Sequence, residues 1–199
     1  DAMAMADMFA GTLPGGTLAL SQNGAPLYHY SYLSTFAERC VVPETCCVPI
    51  RKDASLQVAA LVGCAVMTGV GAVLNTARVR PAEAVVVIGC GGVGLSVIQG
   101  ARIAGARPIV AVDVVDSKLD LARRLGATET VLGTGEDPEA GIRDVLPGGA
   151  DFSFEALGRV ATIELATRAT APGGTAVLVG MASPDARAAI DALTLTVQE

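Results

Sequence analysis

A glycine-rich turn is the clearest place in this sequence where residue types and spacing could perform chemistry. The segment Gly89–Gly94 reads G-C-G-G-V-G, which fits G-x-G-x-x-G, and it directly follows the apolar run Ala84–Ile88. In such a turn the first glycine allows a tight bend, the second lets the backbone approach a pyrophosphate, and the third lets the next helix pack against the strand. The N–H groups that begin this helix would face the phosphates. The motif therefore predicts a dinucleotide-binding turn, with contacts from Gly89, Gly91, Gly92 and Gly94.

A carboxylate at a fixed distance from the turn narrows the choice of dinucleotide. Asp113 ends a second apolar run, Pro108–Val112, and lies 19 residues after Gly94. An acid at this position accepts hydrogen bonds from the adenosine ribose hydroxyls and repels a 2′-phosphate. We therefore predict binding of NAD(H) rather than NADP(H). Lys118 is a further candidate cofactor contact, with a solvated helix face as the alternative.

The elements that must position these residues follow a regular alternation after residue 80. Strands are predicted at 84–88, 108–112, 130–132, 151–154 and 175–179, with helices between them. Strands that alternate with helices indicate a parallel, doubly wound sheet, which is the Rossmann architecture of an α/β protein. Because that fold usually has six strands, we expect the last strand to lie outside these residues. Asp137 before Pro138 predicts one helix start, and the spacing of Ser117 and Asp120 resembles a capping box at another.

Residues 1–50 have a different pattern. The turn signals Pro14–Gly16 and Asn23-Gly24 separate short apolar pieces, which predicts β-hairpins and loops. About 50 residues without a disulfide framework bury too little surface to fold alone. We therefore expect this region to be a remnant of a larger domain.

Composition argues against several kinds of partner and location. The chain has 14 Lys+Arg against 20 Asp+Glu and a net charge of −6, which does not suit nucleic-acid binding. Five cysteines without a repeating spacing favour reduced thiols in a cytoplasmic protein. Residues 54–77 form 24 residues without a charge, but glycines and polar side chains interrupt them. We expect a buried helical connection between two domains there and no membrane span.

Along nearly its whole length the sequence resembles the zinc-containing medium-chain alcohol dehydrogenases. The most specific segment is Leu61–Ala72, which is similar to the family segment that carries the third ligand of the catalytic zinc. The resemblance implies that Cys64 is a zinc thiolate in the intact enzyme and that Thr68 lies beside the nicotinamide. Thiolate sulfur is a good zinc ligand, whereas a small buried hydrophobe is the alternative for Cys64.

Other cofactor positions carry over from the same resemblance. Val93 matches the turn residue behind the nicotinamide ring, and Arg159 belongs to a segment similar to the one along the adenosine. The strand end at Val179, Gly180 and Met181 matches the backbone that holds the carboxamide.

The resemblance also places two residues of the first 50. Tyr30 matches a residue that lines the substrate pocket, and with Thr68 it completes the candidate catalytic residues. His29 does not match a zinc ligand, so we expect it at the surface or in a cleft without a catalytic role.

As a whole, the resemblance implies an oxidoreductase that transfers hydride between an alcohol or aldehyde and NAD, with zinc as a Lewis acid in the intact enzyme. It divides the chain into a β-rich remnant of the GroES-like catalytic domain (1–55), a connecting helical segment with Cys64 (56–79) and the NAD-binding domain (80–199). It also implies a homo-oligomer that assembles through the Rossmann domain.

The departures from the family pattern leave alternatives open. The family's other catalytic zinc ligands, a Cys and a His-Glu segment, do not occur in the sequence, and neither does the four-cysteine structural zinc loop. We therefore expect an internal segment of a longer enzyme that is inactive alone. A non-catalytic nucleotide-binding module and the glutathione-linked formaldehyde dehydrogenase branch of the family remain as alternatives.

Overall fold

The structure, a computed structural model, describes residues 6–7, 9–13, 15–134 and 137–197. The chain divides into two compact units, Asp1–Ala54 and Ser55–Glu199. In the first unit, the antiparallel strands β1 (Leu20–Gln22) and β2 (Ala25–Leu27) form a hairpin. Asn23 and Gly24 both have positive φ in its turn, which confirms the predicted hairpin. Pro14 of the other turn signal lies outside the described residues.

The second unit begins with a long helix and continues as alternating strands and helices. The long helix is α1 (Leu56–Ala77), which contains two π-helical stretches, Val62–Val66 and Ala72–Ala77. The remaining elements, in chain order, are β3 (Val85–Ile88), α2 (Gly92–Ala104), β4 (Ile109–Asp113), α3 (Asp116–Leu125), β5 (Glu129–Leu132), α4 (Pro138–Val145), β6 (Ala150–Glu155), α5 (Val160–Ala169), β7 (Thr170–Leu178) and α6 (Ala192–Val197).

Strands β3 to β7 form one parallel sheet in the order β5-β4-β3-β6-β7. In its centre, Val87 is in register with Ala111 on one side and Phe154 on the other. The predicted α/β class, the five parallel strands and the Rossmann-like architecture are confirmed. Because the strands are parallel, their carboxyl ends all meet at one edge, where ligands bind in such sheets.

Two apolar layers cover the sheet, one on each face. Val85 and Val87 of β3 pack with residues of α2 and α3, whereas Val86 and Ile88 pack with residues of α4 and α5. Successive residues of a strand point to opposite faces, so an unbroken valine run suits a strand that is buried on both sides. The helix layers thereby fix the position of the carboxyl edge.

Helix α1 is the main departure from the expected fold. It is long and apolar enough to cross a membrane by length and composition, and only 17% of its most apolar stretch is buried. The expectation of a buried helix is therefore wrong for most of its length. The reason is that its packed face is narrow: Gly69, Ala72 and Val73 are buried, whereas Leu61 and Met67 are exposed.

Candidate functional site

The glycine turn joins β3 to α2 and has the geometry that the motif predicts. Gly89 has a φ of +95°, which L side chains rarely adopt. A Cβ on Gly94 would overlap the carbonyl oxygen of Gly89, so only glycine lets α2 lie this close to the turn. A Cβ on Gly91 would meet no atom within 4 Å, because this glycine faces open space in front of α2. The turn thus leaves room at the place where a pyrophosphate approaches backbone.

Asp113 lies at the carboxyl end of β4, next to the turn. Its side chain is 3% exposed, and it accepts hydrogen bonds from the backbone N–H of Cys90 at 2.7 Å and of Val115 at 3.0 Å. The ammonium group of Lys118 lies 3.6 Å from the same carboxylate. Asp113 therefore ties the phosphate turn to the start of α3. Burial, and secondarily the Asp113 charge, raise the pKa of the Cys90 thiol to about 12, so this cysteine is a neutral thiol at pH 7.

A cavity of about 500 Å³ opens beside Asp113, within the range of about 300–1,000 Å³ that is usual for small-molecule sites. The apolar residues Ile88 and Leu157 line this cavity, and so do the cationic residues Lys118 and Arg159. Three residues predicted separately, namely Asp113, Lys118 and Arg159, thus line one cavity. Two of the cationic side chains that line this cavity form ion pairs. Arg168 donates to Glu139 at 2.7 Å, and the ammonium group of Lys118 contacts Asp113.

A second cavity, of about 390 Å³, lies where α1 passes the end of β7. Thr68 of α1 and Val179 after β7 both line it, together with Val177 and Leu178. Close packing of α1 on α2 brings Thr68 there, since a Cβ on Gly69 would lie 2.5 Å from the carbonyl oxygen of Val93. The structure therefore brings Thr68 and Val179 to one cavity, and Val93 lies against Gly69, the neighbour of Thr68 on α1.

A buried glutamate joins the loops at this edge; the resemblance includes it in the segment Glu155–Arg159 along the adenosine but gives it no role of its own. Glu155 ends β6 and is fully buried, with Oε1 2.9 Å from the backbone N of Leu157 and 2.8 Å from that of Gly158. Its backbone carbonyl oxygen accepts hydrogen bonds from the N–H groups of Val179 and Gly180. An acid at the end of a strand, three residues before Gly158, was the available signal. Met181, the next predicted cofactor contact, is exposed.

Cys64 lies on the exposed side of α1, in the first π-helical stretch. Gly92 of the turn is near this part of α1, because its Cβ would lie 3.3 Å from that of Ala65. Within the part of the chain that the structure describes, no group of three or more His, Cys, Asp or Glu side chains could hold a metal ion. The described residues by themselves do not form a zinc site.

The first unit contains a cavity of its own, of about 450 Å³, lined by Tyr30 and His29 among mostly apolar residues. His29 is only 6% exposed, and its Nε2 accepts a hydrogen bond from the backbone N–H of Ala19 at 3.2 Å. Of the two expected positions of His29, surface or cleft, the structure has the second, because the residue is buried and lines this cavity. Tyr30 is exposed at the cavity rim.

Comparison with known proteins places these features in one family. A family model described as zinc-binding dehydrogenase matches residues 92–199. An S-(hydroxymethyl)glutathione dehydrogenase of Escherichia coli O157:H7 is 44% identical over 177 residues, which are 86% of this chain and 47% of that protein. The chain therefore spans about half the length of the curated relatives that it matches.

Two solved structures of alcohol dehydrogenases superpose on 98% of this chain. An alcohol dehydrogenase zinc-binding domain protein from Burkholderia ambifaria matches with a TM-score of 0.87 and 35% identity, over 98% of this chain and 53% of that one. A benzyl alcohol dehydrogenase from Acinetobacter calcoaceticus matches with a TM-score of 0.83 and 31% identity, over 98% and 54% of the two chains.

Proposed function

Because the chain belongs to the zinc-binding dehydrogenase family, we propose that it is the NAD-binding portion of an enzyme that transfers hydride between an alcohol or aldehyde and NAD. The observation that carries this proposal is the arrangement at the carboxyl edge of the sheet. The open glycine turn is flanked by an acid-bordered cavity on one side and a smaller cavity at Thr68 on the other. This order suits pyrophosphate in the centre, adenosine beside Asp113 and nicotinamide beside Thr68.

Each part of the edge has a separate task in this proposal. Backbone N–H groups of the turn and the N-terminus of α2 hold the pyrophosphate, for which they supply positive dipole ends. Asp113 accepts from the ribose hydroxyls, with Lys118 and Arg159 at the cavity border. Thr68, Val93 and the backbone from Val179 to Met181 orient the nicotinamide ring.

The bound NAD⁺ would supply the hydride acceptor, and alcohol oxidation then releases one proton and leaves a carbonyl product. The residues of this chain contribute by fixing the ring in the smaller cavity, whose lining is mostly apolar. Tyr30 is our candidate for contact with the substrate, since it borders the cavity of the first unit.

We also propose Cys64 as one thiolate ligand of the zinc for which the family is named. Its exposed position on α1 leaves the sulfur accessible to a metal. Since three protein ligands are needed for a catalytic site, the others would have to come from polypeptide other than the described residues. We derive no reaction step through the metal.

The preference for NADH tests the cofactor proposal directly. Purified chain should bind NADH at least about tenfold more tightly than NADPH, since the 2′-phosphate would meet the Asp113 charge. Fluorescence titration of both nucleotides at equal ionic strength measures the two affinities. Equal or tighter binding of NADPH would contradict the assignment of Asp113.

Metal content tests the zinc proposal. The 199-residue chain should retain well below one zinc per chain after dialysis, because Cys64 alone cannot provide the three ligands that a catalytic site needs. Elemental analysis gives the ratio, with Cys64→Ser as the matched control. A tightly held equivalent of zinc in the parent would contradict the expected ratio: its loss in Cys64→Ser would show that this chain completes a site with Cys64 as a ligand, and its retention would contradict the assignment of Cys64.

A second candidate, within the same class of reaction, is oxidation of a glutathione adduct of formaldehyde. The observation in its favour is the 44% identity to S-(hydroxymethyl)glutathione dehydrogenases. Steady-state assays of the complete enzyme with S-(hydroxymethyl)glutathione and with simple alcohols would separate the two candidates.

A further inference from the structure

We infer that Glu155 is a positioning residue, which holds the adenosine-side loop and the nicotinamide-side strand end in the relative placement that the dinucleotide needs. This inference rests on the proposed NAD-binding function and adds a residue to it. Glu155 does not line either cavity of the carboxyl edge. It would therefore act indirectly, by positioning the neighbouring loops that line them.

The side chain of Glu155 organises the adenosine side. Its Oε1 accepts three hydrogen bonds, from the backbone N–H of Leu157 at 2.9 Å, from that of Gly158 at 2.8 Å and from the hydroxyl of Thr162 at 2.7 Å. Leu157 and Thr162 both line the larger cavity, on either side of Arg159. One oxygen atom therefore fixes the turn before α5 and the first turn of α5.

The same residue contacts the nicotinamide side. Its backbone carbonyl oxygen accepts from Val179 N at 2.8 Å and from Gly180 N at 2.9 Å. A Cβ on Gly180 would lie 2.5 Å from Oε2, so the chain after β7 passes directly against the carboxylate. Glu155 thus bonds to, or packs against, both loops that the cofactor would have to span.

Stability alone does not explain a glutamate at this position. The side chain is fully buried, and its Oε2 has no hydrogen-bond partner among the described residues. A buried carboxylate oxygen without a partner lowers stability, whereas an apolar side chain of similar size would avoid that cost. What the carboxylate provides is a single acceptor at which three donors from two segments converge.

The test compares NADH affinity in Glu155→Ala, Glu155→Gln and Ser153→Ala. Loss of the shared acceptor in Glu155→Ala should weaken NADH binding by about tenfold or more, because the adenosine-side loop loses its three hydrogen bonds to Oε1 and Gly180 loses the side chain against which it packs. Glu155→Gln keeps a carbonyl oxygen for the three donors and should stay within about threefold of the parent. Ser153→Ala is the matched control, since Ser153 is a buried polar residue of the same strand that bonds Ala166 and Thr170.

Amide hydrogen exchange provides a readout in the free protein. In Glu155→Ala, the amides of Leu157 and Gly158 should exchange about tenfold faster, whereas those of β3 and β4 should not change. If Glu155→Ala does not fold, Glu155→Asp, which keeps the charge but shortens its reach, should give the same selective changes.

The outcomes separate this inference from the proposed function. A parent chain that binds no NADH contradicts the proposed function and the role of Glu155 with it. NADH binding that is normal in the parent and equally tight in Glu155→Ala, or equally weakened in Ser153→Ala, overturns the role of Glu155 alone. Selective weakening with rescue by glutamine supports it.

Discussion

A Gly91→Val chain should bind NADH about 100-fold more weakly than the parent, a difference of about 2.7 kcal/mol. The valine side chain would occupy the open space in front of the turn, where the backbone meets the pyrophosphate. The fold should remain intact, because Gly91 has an extended conformation, with φ −81° and ψ −170°, that any residue adopts. Calorimetric titration with NADH and a thermal melt measure the two effects, and the melting midpoint should change by less than about 3 °C.

Two other glycines provide matched controls for this result. Gly148→Val adds the same side chain at an exposed glycine that also has no atom within 4 Å of a Cβ, and it should leave NADH binding unchanged. Gly94→Ala, in contrast, should destabilise the fold, since its Cβ would overlap the carbonyl of Gly89. If Gly91→Val bound NADH as tightly as Gly148→Val, the turn would not be the phosphate site.

Replacing Asp113 by serine should reduce both NADH affinity and the preference for NADH over NADPH. The substitution removes the charge that repels a 2′-phosphate and the acceptor for the ribose hydroxyls. It also leaves the N–H groups of Cys90 and Val115 without their carboxylate partner, so the phosphate turn loses a support. We expect NADH binding to weaken about tenfold or more and the ratio of the two affinities to approach one. Parallel titrations with both nucleotides measure this ratio.

Asparagine at the same position separates charge from shape. Asp113→Asn keeps one carbonyl oxygen as an acceptor but removes the charge. It should therefore reduce the preference for NADH over NADPH, with a smaller loss of NADH affinity than Asp113→Ser causes. An unchanged preference in both variants would mean that Asp113 does not select the nucleotide.

Much of the sheet and of the turn could be predicted from sequence, because the signals are local. The valine run of β3 requires burial on both faces, and the glycines of Gly89–Gly94 are required by backbone geometry. Asp137 was predicted as an N-cap and accepts a hydrogen bond from Ala140 N at 3.0 Å. Such features depend on residues within a few positions of each other, so one sequence is enough to identify them.

The features that sequence reasoning missed depend on distant contacts. The capping box at Ser117 and Asp120 does not form, since α3 begins at Asp116 and Asp113 accepts from the N–H of Val115 instead. The exposure of α1 depends on which of its faces packs against a neighbour, and the choice between a surface and a cleft position for His29 depends on contacts such as the bond from Ala19 N–H. Neither can be read from hydropathy alone, because both are properties of the packed chain.

The most direct test of the central claim is to map the dinucleotide on the protein by amide chemical-shift changes during an NADH titration. We predict saturable shifts at the glycine turn from Gly89 to Gly94, at Asp113, and at Thr68 and Gly180, all along the carboxyl edge of the sheet. Amides at the opposite edge of the sheet, such as those of Gly148 and Gly149 before β6, should not shift. An absence of saturable shifts, or shifts confined to that opposite edge, would contradict the assignment of the carboxyl edge as the NAD site.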